Sequence, residues 1–162
     1  MGLKVSGTGH RPDKLGGYSD EAFNQLVEIA EKAFTQIQPT EVISGMALGW
    51  DMALAQAAIN RGIPFIAAVP FVGQENMWQK KTQDYYKELL SKAKEVVIVS
   101  EGGYSAYKMQ VRNEWMVNNC DLVLAMHNGD TFGGTFNCVT YVTKVGKPMV
   151  NFYNKLKLKN NE

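Results

Sequence analysis

The sequence predicts an α/β fold: a mainly parallel sheet with helices on both faces. Three observations predict it. Short apolar runs alternate with segments of helical periodicity along the whole chain. One run, Ile63 to Val69, is apolar without alternation and interrupted only by Pro64, which suits a strand covered on both sides. Glycine-bearing loops follow several of the runs, at the carboxyl ends of the strands, where open α/β sheets bind their ligands.

The first strand is Leu3–Ser6. Residues 19–37 then place Phe23, Leu26, Val27, Ala30, Ala33, Phe34 and Ile37 on one helical face. Ser19 caps that helix, Asp20 and Glu21 suit its first turn, and Pro39 ends it. Glu41–Ser44 is the second strand. Residues 47–60 are apolar almost all round and rich in alanine, so this helix is buried and lies close to the sheet until Gly62 stops it. The third strand is 63–69, with Pro64 at its first residues. A polar helix at 77–92 turns Trp78, Tyr85 and Leu89 inward. A fourth strand at 95–100, a helix at 105–118, a strand at 121–126, a helix at 135–145 and a last strand at 149–153 complete the chain.

With 162 residues, 45% of them hydrophobic, the chain forms one domain with a core of its own, and residues 154–162 form a tail. A net charge of +1 lacks the footprint of a dedicated nucleic-acid binder. The terminal run Lys155-Leu156-Lys157-Leu158-Lys159 reads as a solvated tail, with a nucleic-acid contact as the alternative. Cys120 and Cys138 sit among apolar residues and read as buried thiols. Without a histidine cluster they make no zinc site, and no metal or cofactor is expected. No apolar run reaches the ~20 residues of a membrane helix and no signal peptide is evident, so the expectation is a cytoplasmic protein.

Three loops carry the candidate chemistry. The first, Gly7-Thr8-Gly9-His10-Arg11-Pro12, sets glycine beside an arginine fork that matches phosphate and a histidine that titrates near neutrality. A plain polar turn is the alternative. The second is Ser44-Gly45-Met46-Ala47-Leu48-Gly49-Trp50-Asp51. Its Asp51 lies in the first turn of a helix, either as a cap or as an acceptor for ribose hydroxyls. The third runs from Asn128 and Gly129 to Gly133-Gly134-Thr135 and opens a helix whose free N–H groups would cradle a phosphate. Pro70 and Phe71 follow the third strand at the same edge. Phe71 reads either as a base-stacking ring or as core, and Trp78 as core. Arg112 and Met116, four apart, share a helix face that by spacing alone is an amphipathic boundary.

Together these segments resemble the SMF/DprA–LOG (SLOG) superfamily, and Gly-Thr-Gly-His-Arg-Pro with Ser-Gly-Met-Ala-Leu-Gly-Trp-Asp looks most like its YpsA/YoqJ branch of small bacterial and prophage proteins. The resemblance covers about residues 3–152. It implies a Rossmann-like three-layer sandwich and a nucleotide-related ligand. Relatives include LOG enzymes that cleave the N-glycosidic bond of nucleoside monophosphates, sensors of nucleotides or ADP-ribose-type signals, and DprA-like binders of single-stranded DNA. The Arg-x-x-x-Met helix of LOG enzymes matches Arg112 and Met116, which makes Arg112, with its neighbour Asn113, a site residue. Gly134-Thr135 matches the Gly-Thr of their Pro-Gly-Gly-x-Gly-Thr-x-x-Glu motif, and Cys138 stands where that motif has glutamate. A carboxylate there would stabilise an oxocarbenium-like transition state or position water, and cysteine does neither. Glu114, Asp121, Asp130 and Asp51 are the other carboxylates open to that role, and Arg112 and Glu114 are the catalytic candidates.

The expected function is therefore binding of a nucleotide or ADP-ribose-like molecule, as a sensor or sequestering module. The alternative is N-glycosidase action on nucleoside monophosphates; single-stranded DNA binding is disfavoured by the near-neutral charge. A homo-oligomer is open by analogy, with the tyrosine-bearing helix at 79–90 as a partner face.

Overall fold

The computed structural model describes residues 2–158. Its elements are β1 (Lys4–Gly9), α1 (Asp20–Ile37), β2 (Glu41–Ser44), α2 (Trp50–Asn60), β3 (Phe65–Val69), α3 (Lys80–Ser91), β4 (Glu95–Ile98), α4 (Ala106–Asn118), β5 (Leu122–Met126), α5 (Gly133–Val145) and β6 (Met149–Asn151). The six strands form one sheet in the order β4-β3-β2-β1-β5-β6, and every pair is parallel. The chain steps outward from β1 to β4, crosses back to β5 beside β1, and steps outward again to β6. This is a Rossmann-like three-layer fold.

Each face has its own apolar layer. Leu26, Ala30 and Phe34 of α1, Trp50 and Leu54 of α2, and Tyr86 and Leu89 of α3 pack together with Val5, Val42 and Phe65. Met116 and Val117 of α4 and Cys138 and Val142 of α5 pack with Ile43, Ala68 and Val123. The helices change face between β1 and β5, so the loops after these strands diverge and leave a crevice at the carboxyl edge.

Local signals set the helix ends. The Ser19 hydroxyl accepts the Ala22 N–H at 3.1 Å and caps α1. Gln38, in left-handed conformation at φ 56°, closes α1 just before Pro39. α2 begins at Trp50, three residues later than its alanine pattern suggests, because Ala47–Gly49 are still turning. α3 begins at Lys80 because residues 72–78 form turns, and Trp78 packs edge-on against Tyr86 with centroids 5.3 Å apart.

The first loop differs most from its sequence reading. β1 runs on to Gly9 and pairs through Gly9↔Met126, so Gly7, Thr8 and Gly9 are strand and the turn starts at His10. The two glycines serve packing. A Cβ on Gly7 would collide with Leu54 Cδ1, and one on Gly9 would stand 2.6 Å from Trp50 Cβ. Their absence lets the alanine-rich α2 press on β1, with Trp50 fully buried and its indole N–H donating to the Leu124 carbonyl at 3.0 Å. Gly9→Ala is expected to cost about 1–3 kcal/mol of stability by overpacking against a rigid neighbour. Chemical denaturation measures it, and an unchanged midpoint would exclude this role.

The terminal segment differs too. Lys157 exchanges hydrogen bonds with the Gln25 side chain, its N–H donating at 2.6 Å and its carbonyl accepting at 3.2 Å, while Leu156 packs on the core. Residues 156–158 are thus docked on α1; Lys159 lies outside the described residues. The tyrosines of α3 face inward: Tyr86 is buried, and Tyr85 packs edge-on to Phe23 while its hydroxyl donates to Gln56. Tyr86 is thus core, while the part-exposed Tyr85 lines a surface groove with Trp78, Lys81 and Thr82. Among the described residues no helix is long and apolar enough to cross a membrane.

Candidate functional site

A polar cleft of about 470 Å³ opens at the carboxyl edge, at the β1/β5 crossover. Its walls come from four places. The end of β1 and the turn after it supply Thr8, Gly9, His10, Arg11 and Lys14. The start of α2 supplies Asp51. The face of α4 supplies Met109, Gln110, Arg112 and Asn113, and the start of α5 supplies Gly133, Gly134 and Thr135.

Asp51 lies at the floor, 7% exposed, and its Oδ1 is buried without a hydrogen-bond partner. Burial raises its carboxyl to about 6 although the Arg112 charge opposes the shift. A buried unpaired carboxylate oxygen is costly, so its position in a cleft points to a ligand donor.

Arg112 is buried at 3% exposure. Its Nη1 donates to the Gly45 carbonyl and, at 3.1 Å, to the Ala68 carbonyl, while Nε donates to Asn113 Oδ1 at 3.0 Å. It ties the β2–α2 loop to β3. Burial lowers its pKa, and Asp51 is the largest force holding its charge. Gly45 lies between the two groups. A Cβ there would stand 2.7 Å from Asp51 Oδ2 and 2.9 Å from Arg112 Cζ. A side chain at this position would displace one of them.

The opposite wall carries Arg11 and Lys14 together with the carboxylate of Asp13. No side chain caps α5, so its first N–H groups face the cleft region unpaired by a cap, and added Cβ atoms on Gly133 and Gly134 would meet open space. That arrangement favours an anion. The exposed Arg11 makes no hydrogen bond or ion pair among the described residues, though its charge acts on the buried Asp51 carboxylate. Lys14 pairs with Asp130 and stands over the Phe132 ring, 5.0 Å from its centroid, bridging the first and third loops. His10 is buried, which lowers its pKa; its Nε2 lies 2.8 Å from Asn128 Oδ1. Nε2 also receives the Asn128 backbone N–H at 3.0 Å, and Asn128 Oδ1 accepts the Asp130 N–H at 2.9 Å, so this turn closes around the His10 ring.

Of the residues singled out in the sequence, Thr8, Gly9, His10, Arg11, Asp51, Arg112, Asn113, Gly133, Gly134 and Thr135 line this one cleft. The others support it from behind. Gly7 packs against α2. The Ser44 hydroxyl donates to the Asp51 carbonyl at 2.7 Å and accepts the Met46 N–H at 3.1 Å. Met46 is fully buried in the left-handed region at φ 62°, and Gly45 supplies only its carbonyl to Arg112. Pro70 and Phe71 are buried, and Phe71 meets Tyr104 edge-on at 5.9 Å. Asn128 and Gly129 form the turn that holds His10. Glu114 accepts from Gln110 and does not line the cleft. Sequence reasoning missed Lys14, Tyr104, Met109, Gln110 and Phe132. Met109, Gln110 and Asn113 follow helical spacing on the face of α4 that reaches the cleft, which was a usable signal; nothing local marked Lys14.

The chain matches the family model YpsA, described as the YspA SLOG family, over residues 5–148. It belongs to this SLOG family. The SPbeta prophage-derived protein YoqJ of Bacillus subtilis (strain 168) is 30% identical over 137 residues, covering 75% of this chain and 80% of YoqJ. The structure of DNA processing protein A (DprA) from Streptococcus pneumoniae is similar with a TM-score of 0.64 at 17% identity. That match covers 92% of this chain but only 50% of DprA, so the chain spans half the length of that structure. The molybdenum cofactor carrier protein of Chlamydomonas reinhardtii is similar with a TM-score of 0.57 at 14% identity, covering 93% of this chain and 77% or less of the carrier, 76% in the structure compared. These distant structures share the fold of the SLOG chain.

The resemblance sets Cys138 at the place of the LOG glutamate. This cysteine is 1% exposed beside Thr8, and burial pushes its thiol up to about 11, so it is a neutral packing group. Of the four carboxylates open to the glutamate's role, Asp121 accepts the Lys4 N–H at the opposite, amino edge of the sheet. Asp130 pairs with Lys14, and Glu114 holds Gln110 without lining the cleft itself. Asp51 alone of the four lines the cleft.

Proposed function

We propose that this protein binds a nucleoside phosphate or ADP-ribose-like molecule in the cleft, as a sensing or sequestering module. The observation that carries this reading is the orphaned buried oxygen of Asp51 in the same cleft as the uncapped start of α5. A carboxylate accepts hydroxyl hydrogens, as from a ribose, and a helix start accepts phosphate oxygens. The free guanidinium of Arg11 adds a fork for a second phosphate. AMP, ADP and ADP-ribose are the ligands to test. One of them at a hundredfold excess over its Kd is expected to stabilise the fold by about 2.7 kcal/mol, a rise of about 5–11 °C in Tm for a domain of this size. No heat of binding and no thermal shift across the three would reject the reading.

One observation favours hydrolysis as a second reading: a carboxylate raised to about 6 stands in the cleft despite the cysteine at position 138. Such a group exchanges protons at neutral pH. Free base released from nucleoside monophosphates above a protein-free blank, and lost in Asp51→Asn, would establish it. Release equal to the blank would count against it.

A further inference from the structure

We propose that the α4 face of the cleft, with Phe132 at the start of α5, forms a nucleobase subsite, in which Tyr104 and Phe132 stack on the base while Gln110 and Asn113 read its edge. The inference rests on the nucleotide reading above and assigns the one wall that reading leaves without a role. Tyr104 and Phe132 line the cleft yet are 76% and 65% exposed. Each ring is held by a neighbour, Tyr104 by the edge-on contact with buried Phe71 and Phe132 by the Lys14 ammonium. Rings that are fixed but uncovered make a stacking platform, because every nucleobase offers a π-face.

The two amides have fixed orientations for a chemical reason. A guanidinium only donates, so the atom of Asn113 that meets Arg112 Nε is its oxygen, leaving Nδ2 as a free donor. A carboxylate only accepts, so the atom of Gln110 that meets Glu114 Oε2 at 3.0 Å is its nitrogen, leaving Oε1 as a free acceptor. Gln110 and Asn113 are three apart on one face of α4, and both line the cleft. The two amides therefore offer a donor beside an acceptor, both uncharged. The Watson–Crick edge of a neutral base presents the complementary pair, and a sugar phosphate has no such planar edge. The α5 N–H groups would then hold phosphate, Asp51 the ribose and the α4 amides the base edge, with Phe132 next to the phosphate end.

The test is calorimetric titration of AMP and of ribose 5-phosphate into wild type, Tyr104→Ala, Tyr104→Phe and Phe132→Ala. Wild type is expected to bind AMP more tightly than ribose 5-phosphate. Tyr104→Ala and Phe132→Ala are expected to weaken AMP about tenfold each and leave ribose 5-phosphate unchanged, while Tyr104→Phe retains wild-type affinity for both. Equal affinity of wild type for the two ligands, or equal losses for both in the alanine variants, would overturn the base subsite and leave the phosphate reading standing. Wild type binding neither ligand would remove both. A single-stranded oligonucleotide that loses affinity in Tyr104→Ala while AMP does not would assign the platform to nucleic acid and overturn the proposal.

Discussion

Asp51→Asn is expected to weaken nucleotide binding about a hundredfold while making the unliganded protein more stable at pH 7. The loss follows from chemistry. A carboxylate accepts two hydroxyl hydrogens, whereas the amide keeps one acceptor and turns donors toward a donor. The gain follows from burial. The Asp51 carboxyl is raised from 3.8 to about 6 in the folded protein, mainly because burial disfavours its charge. Between these values the unfolded chain has lost the proton and the folded chain still holds it. Stability therefore falls as pH rises from about 4 to 6 and stays lowered above that range, by roughly 3 kcal/mol. Denaturant titrations at pH 4 and pH 7 should show this loss in wild type and not in the asparagine variant. The same ionisation makes ligand binding tighten as pH rises through 6. A variant no more stable than wild type at pH 7, or one that binds nucleotide unchanged, would reject the assignment.

Arg112→Ala is expected to cost about 3–5 kcal/mol of stability, the largest single loss in the site. Truncation removes the side-chain donor from the Ala68 carbonyl, leaves the Gly45 carbonyl with the Gln74 amide alone, and strips Asp51 of the charge that opposes its burial. The two effects separate with pH. At pH 5 most of Asp51 is protonated and needs no counter-charge, so the loss should be smaller there than at pH 7. Arg112→Lys keeps the charge but not the fork, and should recover only part of the stability. Thermal and chemical denaturation at both pH values measure this. Lost ligand affinity with unchanged stability would instead make Arg112 a ligand contact alone. The buried geometry makes it first a tie that positions the loop carrying Asp51.

The element order was legible because its signals are local. Periodicity marked α1, the alanine run marked α2, and Ser19 marked a helix start that the hydrogen bond to Ala22 realises. Ends were less legible where pairing decides them. β1 continues through Gly7 and Gly9 because β5 pairs with it as far as Met126, and no residue near position 9 encodes that partner. The site was legible in part. The Gly-Gly-Thr turn and the second loop announced themselves, whereas Tyr104, Gln110 and Phe132 became site residues only because α4 and α5 meet at one edge.

The sequence by itself determined an α/β chain with loops suited to phosphate, and its family. Glycine, proline and apolar spacing act within a few residues, so they can be read along the chain. Tertiary structure alone decided what those residues are for. Gly7 and Gly9 changed from flexible turns to points of close packing, because α2 lies on them. Arg112 changed from a helix boundary to a buried tie, because a carbonyl from the β2–α2 loop and one from β3 converge on it. Asp51 changed from a helix-start acid to the one unpaired buried oxygen in the cleft among the described residues. Burial and unmet hydrogen bonds depend on what the rest of the fold brings alongside, and no local pattern carries that information.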